Sequence, residues 1–430
     1  MRSLTFLALL AACGLARAQG DDLESRVREL ELKSGAEPGA VAGAGGTALE
    51  AWFDKGLRFA TPDGSFSARV GASFIFHGIA HQREGGAWPD AFLVREASLE
   101  LGARFAESFE VFVSPNFLPG SARLLYGWVE FNRWPEFRVR AGFFKEPYSM
   151  ETLEETRWWD FHENSVVYMQ APVPDLGLMA HGRVVGGLLG YSLGVFNGNG
   201  AALDNNSDKE LAARLMISPA RKIDWKPLRH LHAAVSATHG RLDRRAPGRP
   251  FPMFIPGTGT DFHSNPAASN YEIGKATRLS GEFAALLGPI EAKAEFSWHH
   301  SRIEFDDGAT RSFRSPAFYG QLGVWIAGRR VPFGIPEVDS PLFAGGFGAL
   351  QVAGRFARMG LDDLLIERAG FDGARRIDEF TLVLNWFPNE NIRVSLGFVR
   401  VAYRHGRALL PNGDRTARED AFLLRCQLSF

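Results

Sequence analysis

The sequence predicts an all-β protein, a transmembrane antiparallel β-barrel of about 16 strands behind a short N-terminal helical or coiled-coil segment. Three observations predict it. The chain opens with an apolar leader, and later segments alternate apolar and polar residues over ~9–11 positions. The connections between those segments alternate between short and long.

Composition agrees with this class. The 430 residues include 35 Phe, 10 Trp and 47 Gly but only 2 Cys. Many aromatics and glycines without a long apolar run favour strands and turns over bundled helices. A net charge of -1 leaves no basic surplus to hold a nucleic acid. Most of the basic residues are Arg.

In the leader, Arg2 precedes the apolar stretch 4–12, and Ala16-Arg17-Ala18 forms a small-x-small cleavage signal. Residues 1–18 therefore read as a secretory signal peptide. Leu10-Ala11-Ala12-Cys13 also fits a lipoprotein box, and cleavage there leaves Cys13 lipidated. With the cut after Ala18, Cys426 is the only mature cysteine and no disulfide framework forms.

Residues 19–47 form a second unit. Leu23, Val27 and Leu30 fall at helical spacing in the charged stretch 21–33, enough for a helix of about three turns. Two readings stand, a small coiled-coil trimer or a frayed amphipathic tail. A Gly/Ala linker over 37–47 leads to the barrel domain, 48–430. Nowhere are there the ~20 consecutive apolar residues of a membrane helix. A sheet closed on itself crosses a bilayer without one.

From Ser65 onward the apolar period is two. Phe66, Ala68, Val70, Ala72, Phe74 and Phe76 alternate with Ser67, Arg69, Gly71, Ser73, Ile75 and His77. Ile290, Ala292, Ala294, Phe296 and Trp298 alternate with Glu291, Lys293, Glu295 and Ser297. Such segments recur at 66–77, 92–104, 108–115, 124–134, 136–144, 178–186, 188–197, 209–219, 229–240, 275–286, 289–303, 316–328, 346–358, 376–387, 391–403 and 419–430. Short links such as 106–108 and 186–187 face long ones such as 145–177 and 241–274. Two connections, 220–228 and 329–345, fall on the short side yet are long. A soluble barrel with this much Arg and Glu inside would bury unpaired charge at several kcal/mol per ion, a cost that a water-filled lumen removes.

The last segment has one apolar face, Phe422, Leu424, Cys426, Leu428 and Phe430. Its terminal Phe430 resembles the signal read by the outer-membrane assembly machinery.

Several motifs resemble the phosphate-selective porin O and P family. AGFFKEPYSMETLEE (141–155) is similar to the family signature G-Q-F-K-x-P-F-S-x-E. YSLGVFNGNG (191–200), GALQVAGRFARMGLDD (348–363), NWFPNENIRV (385–394) and LRCQLSF (424–430) follow in the family's order. The resemblance covers roughly residues 50–430. It implies a homotrimeric, sixteen-stranded outer-membrane porin with loops folded inward to a constriction, passing small inorganic anions such as phosphate.

The family's selectors are lysine clusters and arginine ladders, whereas this chain must build any cationic track from Arg. Guanidinium forks suit phosphate. On the inward stripes the candidates are Arg69, Arg138, Arg140, Arg214, Arg355, Arg393 and Arg425. Lys145 and Arg157 sit on the 145–177 loop, the one expected to enter the bore. The same stripes carry Glu110, Glu130, Glu210, Glu282, Glu291, Glu295 and Glu379, so the inward charge is close to neutral. Arg–Glu pairs that only brace the wall are the competing reading, and a general or otherwise-selective porin is the competing function. A structural barrel whose 21–33 helix trimerises or tethers is a third.

Other features rank lower. Arg241, Arg244, Arg245 and Arg249 form a solvated outer loop or a site for lipopolysaccharide phosphates. Outer-membrane lipid surrounds the barrel in this reading. His299 and His300 face opposite ways, and His230 and His232 read as wall residues. Glu154 and Glu155 read as rim charges. No catalytic motif, cofactor fingerprint or metal-ligand spacing appears, so no enzyme is expected.

Overall fold

A computed structural model describes residues 48–82, 90–201, 204, 206–218, 231–243, 254–255, 260–261, 271–304, 308–329, 336–360, 362, 374–409 and 415–430. The expected leader, helix and linker (1–47), and Arg244, Arg245 and Arg249, lie outside the described residues.

Sixteen strands close into one antiparallel barrel. They are β1 Phe66–Gln82, β2 Ala91–Phe105, β3 Phe109–Leu118, β4 Ser121–Trp134, β5 Phe137–Phe144, β6 Asp175–Val184, β7 Leu189–Phe196 and β8 Glu210–Ile217. The second half is β9 His232–Asp243, β10 Tyr271–Leu287, β11 Ile290–Glu304, β12 Thr310–Ala327, β13 Ala349–Gly360, β14 Arg376–Asn389, β15 Ile392–Arg404 and β16 Arg418–Ser429. Each strand pairs with the next, and β16 closes on β1 from Ser429↔Ser73 to Asp420↔Gln82. Phe430 completes the seam, exchanging backbone hydrogen bonds of 3.0 and 3.1 Å with Ala72. A Cβ at residue 71 would lie 2.7 Å from the Phe430 carbonyl oxygen, so Gly71 makes room for that seat.

A short hairpin, Glu50–Phe53 with Leu57–Ala60, adds to the lower end of β1 through Leu57↔Val70. It prolongs the sheet beneath the C-terminus, where the Phe53 and Phe430 rings lie 6.1 Å apart.

Burial is inverted relative to a water-soluble domain. Arg278, Arg393 and Arg425 are among the largest fully buried side chains, while Leu322 and Ile326 are 63% and 64% exposed. Over most of the wall, period-two alternation puts the apolar set on the outside and the polar set on the inside. That arrangement is stable when lipid covers the outer face and the closed ladder satisfies every strand backbone. Among the described residues no helix is long and apolar enough to cross a membrane.

Aromatic rings mark the lower interface. Phe105 stacks on Phe109 at 5.7 Å, and Phe131 meets Trp134 edge-on at 5.4 Å. The wall is uneven: β10 has 17 residues and β12 has 18, but β5, β7 and β8 have 8 each.

One connection differs from expectation. Residues 116–123, expected as an eight-residue link, are mostly strand, and β3 meets β4 at Pro119-Gly120. A register shift between Ser114 and Pro115 breaks the alternation there and hides the strand ends from pattern reading. The long lower connection after β12 holds an Arg329–Glu337 bridge and a 3-10 turn, Leu342–Ala344.

Candidate functional site

Beyond β5 the chain turns inward. Residues 145–174 fill the middle of the barrel as three short turns, Met150–Leu153, Thr156–Trp158 and Val166–Gln170. Ser149 caps the first by accepting from Thr152 N–H, and Ser165 caps the third by accepting from Val167 N–H. A segment this irregular survives at membrane depth only if its backbone polar groups find partners inside the barrel. The walls supply them.

Tyr148 reaches Ser297 Oγ at 2.6 Å and donates to the Leu279 carbonyl at 3.0 Å. Glu295 accepts from the N–H groups of Met150 and Glu151. Lys293 is shared by Glu154 (3.2 Å), Asp160 (3.0 Å) and Glu291 (3.0 Å). Arg393 donates to the carbonyls of Trp159 and Asp160, and to Asn385 Oδ1 at 2.9 Å. Arg425 donates to the Thr156 carbonyl at 2.7 Å, and Gln170 donates to the Ser315 carbonyl at 2.8 Å. Arg95 on β2 grips Glu163 at 2.6 Å. The loop therefore lies against β10–β16 and touches back on β2.

Its titratable groups respond to enclosure. Burial, with Arg393 and Arg425 nearby, holds the His162 imidazole well below its ordinary value, so it remains neutral. Burial pushes the Glu151 carboxyl up, opposed by Arg355 and by the Ser165 hydrogen bonds.

The nine predicted cations all sit on the lumenal side, and most are engaged. Arg69 and Arg157 share Glu100 at 2.6 and 3.0 Å. Arg140 pairs with Glu130 at 2.6 Å and lies 4.0 Å over the Trp128 ring. Arg214 pairs with Glu282, and Arg355 with Glu151 (3.0 Å) and Glu379 (2.9 Å). Lys145 donates to the Glu154 carbonyl at 2.9 Å. Arg393 and Arg425 hold loop carbonyls, as above. Arg138 alone of the nine shows neither an ion pair nor a side-chain hydrogen bond among the described residues, and its Nε is buried without a partner.

Glu154 corrects an expectation. It is buried against Lys293 rather than a rim charge, because the loop carries it into the bore. Phe144 is buried and meets Phe196 edge-on at 5.4 Å. His232 faces Glu282 at 3.3 Å, while His299 packs inward on Phe313 and His300 stacks on Trp298.

Residue reading missed Arg95, Arg183, Arg278 and Lys293 as lumenal cations. Lys293 was visible between Glu291 and Glu295, and Arg183 shares a stripe with His181. Arg95 was hidden by a bulge that shifts the register between Ile75 and Phe76.

Open space remains inside the barrel at two places among the described residues. One, about 640 Å³, lies between the loop and β2–β5, where Arg95, Arg123 and Lys145 face Glu96, Glu100 and Glu155. The other, about 200 Å³, is lined by Arg138, His181, Arg183 and Arg214 on β5, β6 and β8 near the lower turns. Among the described residues no group of His, Cys, Asp and Glu is placed to hold a metal.

The comparisons agree with this geometry. The family model for phosphate-selective porins O and P matches residues 90–430. No curated protein matches by sequence. Among solved structures, the outer membrane channel DcaP of Acinetobacter baumannii superposes with a TM-score of 0.56 at 8% identity, covering 86% of this chain and 99% of that one. An anion-selective porin from Comamonas acidovorans gives 0.55 at 7% identity, covering 85% and 100%. A trimer form of OmpT, an outer membrane protein of Vibrio cholerae, gives 0.51 at 8%, covering 85% and 100%. Identities this low carry the fold alone.

Proposed function

This chain belongs to the phosphate-selective porin O and P family, and from that premise we propose that it passes small inorganic anions of the phosphate type through a bore biased by arginine. Family and fold make it a bacterial outer-membrane channel for passive diffusion, without catalysis. The preference for anions is the further step. The observation that carries it is the cavity of Arg138, His181, Arg183 and Arg214, whose lining has no carboxylate, although Glu130 pairs with His181 and Glu282 with Arg214. The anion-selective Comamonas porin, a fold neighbour, is consistent with it.

The mechanism is electrostatic. The loop narrows the bore against β10–β16 and leaves the path along β2–β8. Guanidinium forks there replace part of an anion's hydration shell. With so few open charges the binding is weak, which lets the ion leave toward the periplasm. Eight of the nine predicted cations have partners, and the larger cavity mixes Arg95, Arg123 and Lys145 with three glutamates. That pairing favours the second reading, a general pore with little charge preference.

Reversal potentials in asymmetric potassium chloride, followed by inhibition of chloride current with phosphate, separate the two. The anion reading expects an anion-favouring potential and block by phosphate at millimolar concentration. A potential near zero, or one favouring potassium, removes it and leaves the porin intact. The trimeric neighbour supports a homotrimer for this chain too. Native mass spectrometry of the detergent-extracted protein, with and without residues 19–47, tests both trimerisation and any part the N-terminal segment has in it.

A further inference from the structure

We propose that the lipid-facing side of β13–β16 and β1 binds a phosphorylated lipid of the outer leaflet, its phosphate on a cluster of arginines and an acyl chain in the groove below. The cluster occupies the upper, outward ends of four strands. Asp378 accepts from Arg358 at 2.6 Å and lies 3.5 and 3.6 Å from Arg376 and Arg404. Asp420 accepts from Arg400 at 2.8 Å and lies 3.5 Å from Arg418. Five guanidiniums thus share two carboxylates, leaving three positive charges uncompensated among the described residues. The side chains of Arg400, Arg404 and Arg418 are 47%, 55% and 62% exposed, so they remain accessible on the outer face.

Directly beneath, the wall is apolar and concave. A groove of about 730 Å³ runs along Leu382, Leu396, Phe398, Phe422 and Leu424 and ends against Phe92, itself 74% exposed. Register joins the two halves. Phe398 pairs with Phe422, and one outward step higher Arg400 pairs with Asp420. Two residues of strand advance about 6.6 Å, so the arginines begin where the hydrocarbon face ends.

An amphiphile with an anionic head matches this order of charge over oil. A phosphate offers acceptors in the geometry that guanidinium forks prefer, and the two aspartates hold those forks in place before any ligand arrives. A second copy of the chain seated here would have to bring its own surplus of carboxylates to this height. The inference stands on the outer-membrane location and is independent of the ion preference of the bore.

The test uses the full detergent-extracted protein. Native mass spectrometry follows retention of a bisphosphorylated, multiply acylated disaccharide lipid, with its dephosphorylated form and inorganic phosphate as separate probes. The expected result is retention of the phosphorylated lipid, little of the dephosphorylated one, and no measurable adduct with inorganic phosphate. Combining Arg358→Gln, Arg400→Gln and Arg418→Gln should weaken retention on the order of a hundredfold, with heat-modified gel migration and conductance unchanged. Should that triple variant fail to fold, Arg418→Gln alone should lose roughly fivefold. Equal retention of both lipids, unaltered retention in the folded variants, or a change of oligomeric state without loss of lipid each overturns the proposal. The last outcome would assign this face to a contact between copies.

Discussion

The two sides of the bore use the same side chain for different work. On β11, β13, β15 and β16, Lys293, Arg355, Arg393 and Arg425 are buried and hold the inward loop by its carboxylates and carbonyls. On β5, β6 and β8, Arg138, Arg183 and Arg214 surround open space. An inward arginine is therefore not by itself a selectivity element. What decides is whether a loop occupies the space in front of it. On the taller side the wall rises 17 and 18 residues at β10 and β12 and the loop leans on it; on the lower side, 8 residues at β5 and β8, the cavity persists.

This contrast can be broken first at Lys293. Replacing it by Met leaves Glu154, Asp160 and Glu291 without their shared cation in a buried site. The barrel should lose about 3–5 kcal/mol in denaturant unfolding, and its single-channel current should become noisy. Unaltered stability would mean that water already solvates those carboxylates and that the loop is not pinned there.

Arg393→Ala comes next. It orphans the carbonyls of Trp159 and Asp160 and should cost about 3 kcal/mol. Freed from β15, the loop should swing away and raise the open-channel conductance. A quiet channel of normal size would place the loop's anchor elsewhere.

Gly397 sharpens the same point by space rather than charge. A Cβ there would come within 2.6 Å of the His162 ring, so Gly397→Ala should push the loop off the wall. The expected cost is about 1–3 kcal/mol, read as a lowered unfolding midpoint. Since burial holds the His162 imidazole well below its ordinary value, raising the pH above neutral should not alter this cost.

On the opposite side the prediction is reversed. Arg138→Gln should leave stability within about 0.5 kcal/mol, because Arg138 shows no ion pair or side-chain hydrogen bond to the loop. The anion-to-cation permeability ratio should fall on the order of threefold. Equal effects from both sides of the bore would erase the distinction between anchoring and open arginines.

Much of this was legible in the residues. Period-two alternation, the strand lengths and the asymmetry of the links gave the barrel and all sixteen segments, because a chain exposed to lipid on one side and water on the other must alternate. Where alternation failed, at Pro115 and at the bulge beside Phe76, the strand ends and the inward turn of Arg95 went unseen. The loop after β5 stood out by its length and its departure from period two, but its charges did not declare their partners.

The sequence by itself thus determined the facing of the wall residues wherever alternation is unbroken, and pointed to the 145–177 loop as the one to enter the bore, since both follow from local period and connection length. Only the tertiary structure decided what each inward charge does. Lys293 and Asp160 stand 133 residues apart in the chain and meet at 3.0 Å. Pairing across a closed ring depends on strand register and on where one loop comes to rest, and neither is written in the neighbours of either residue.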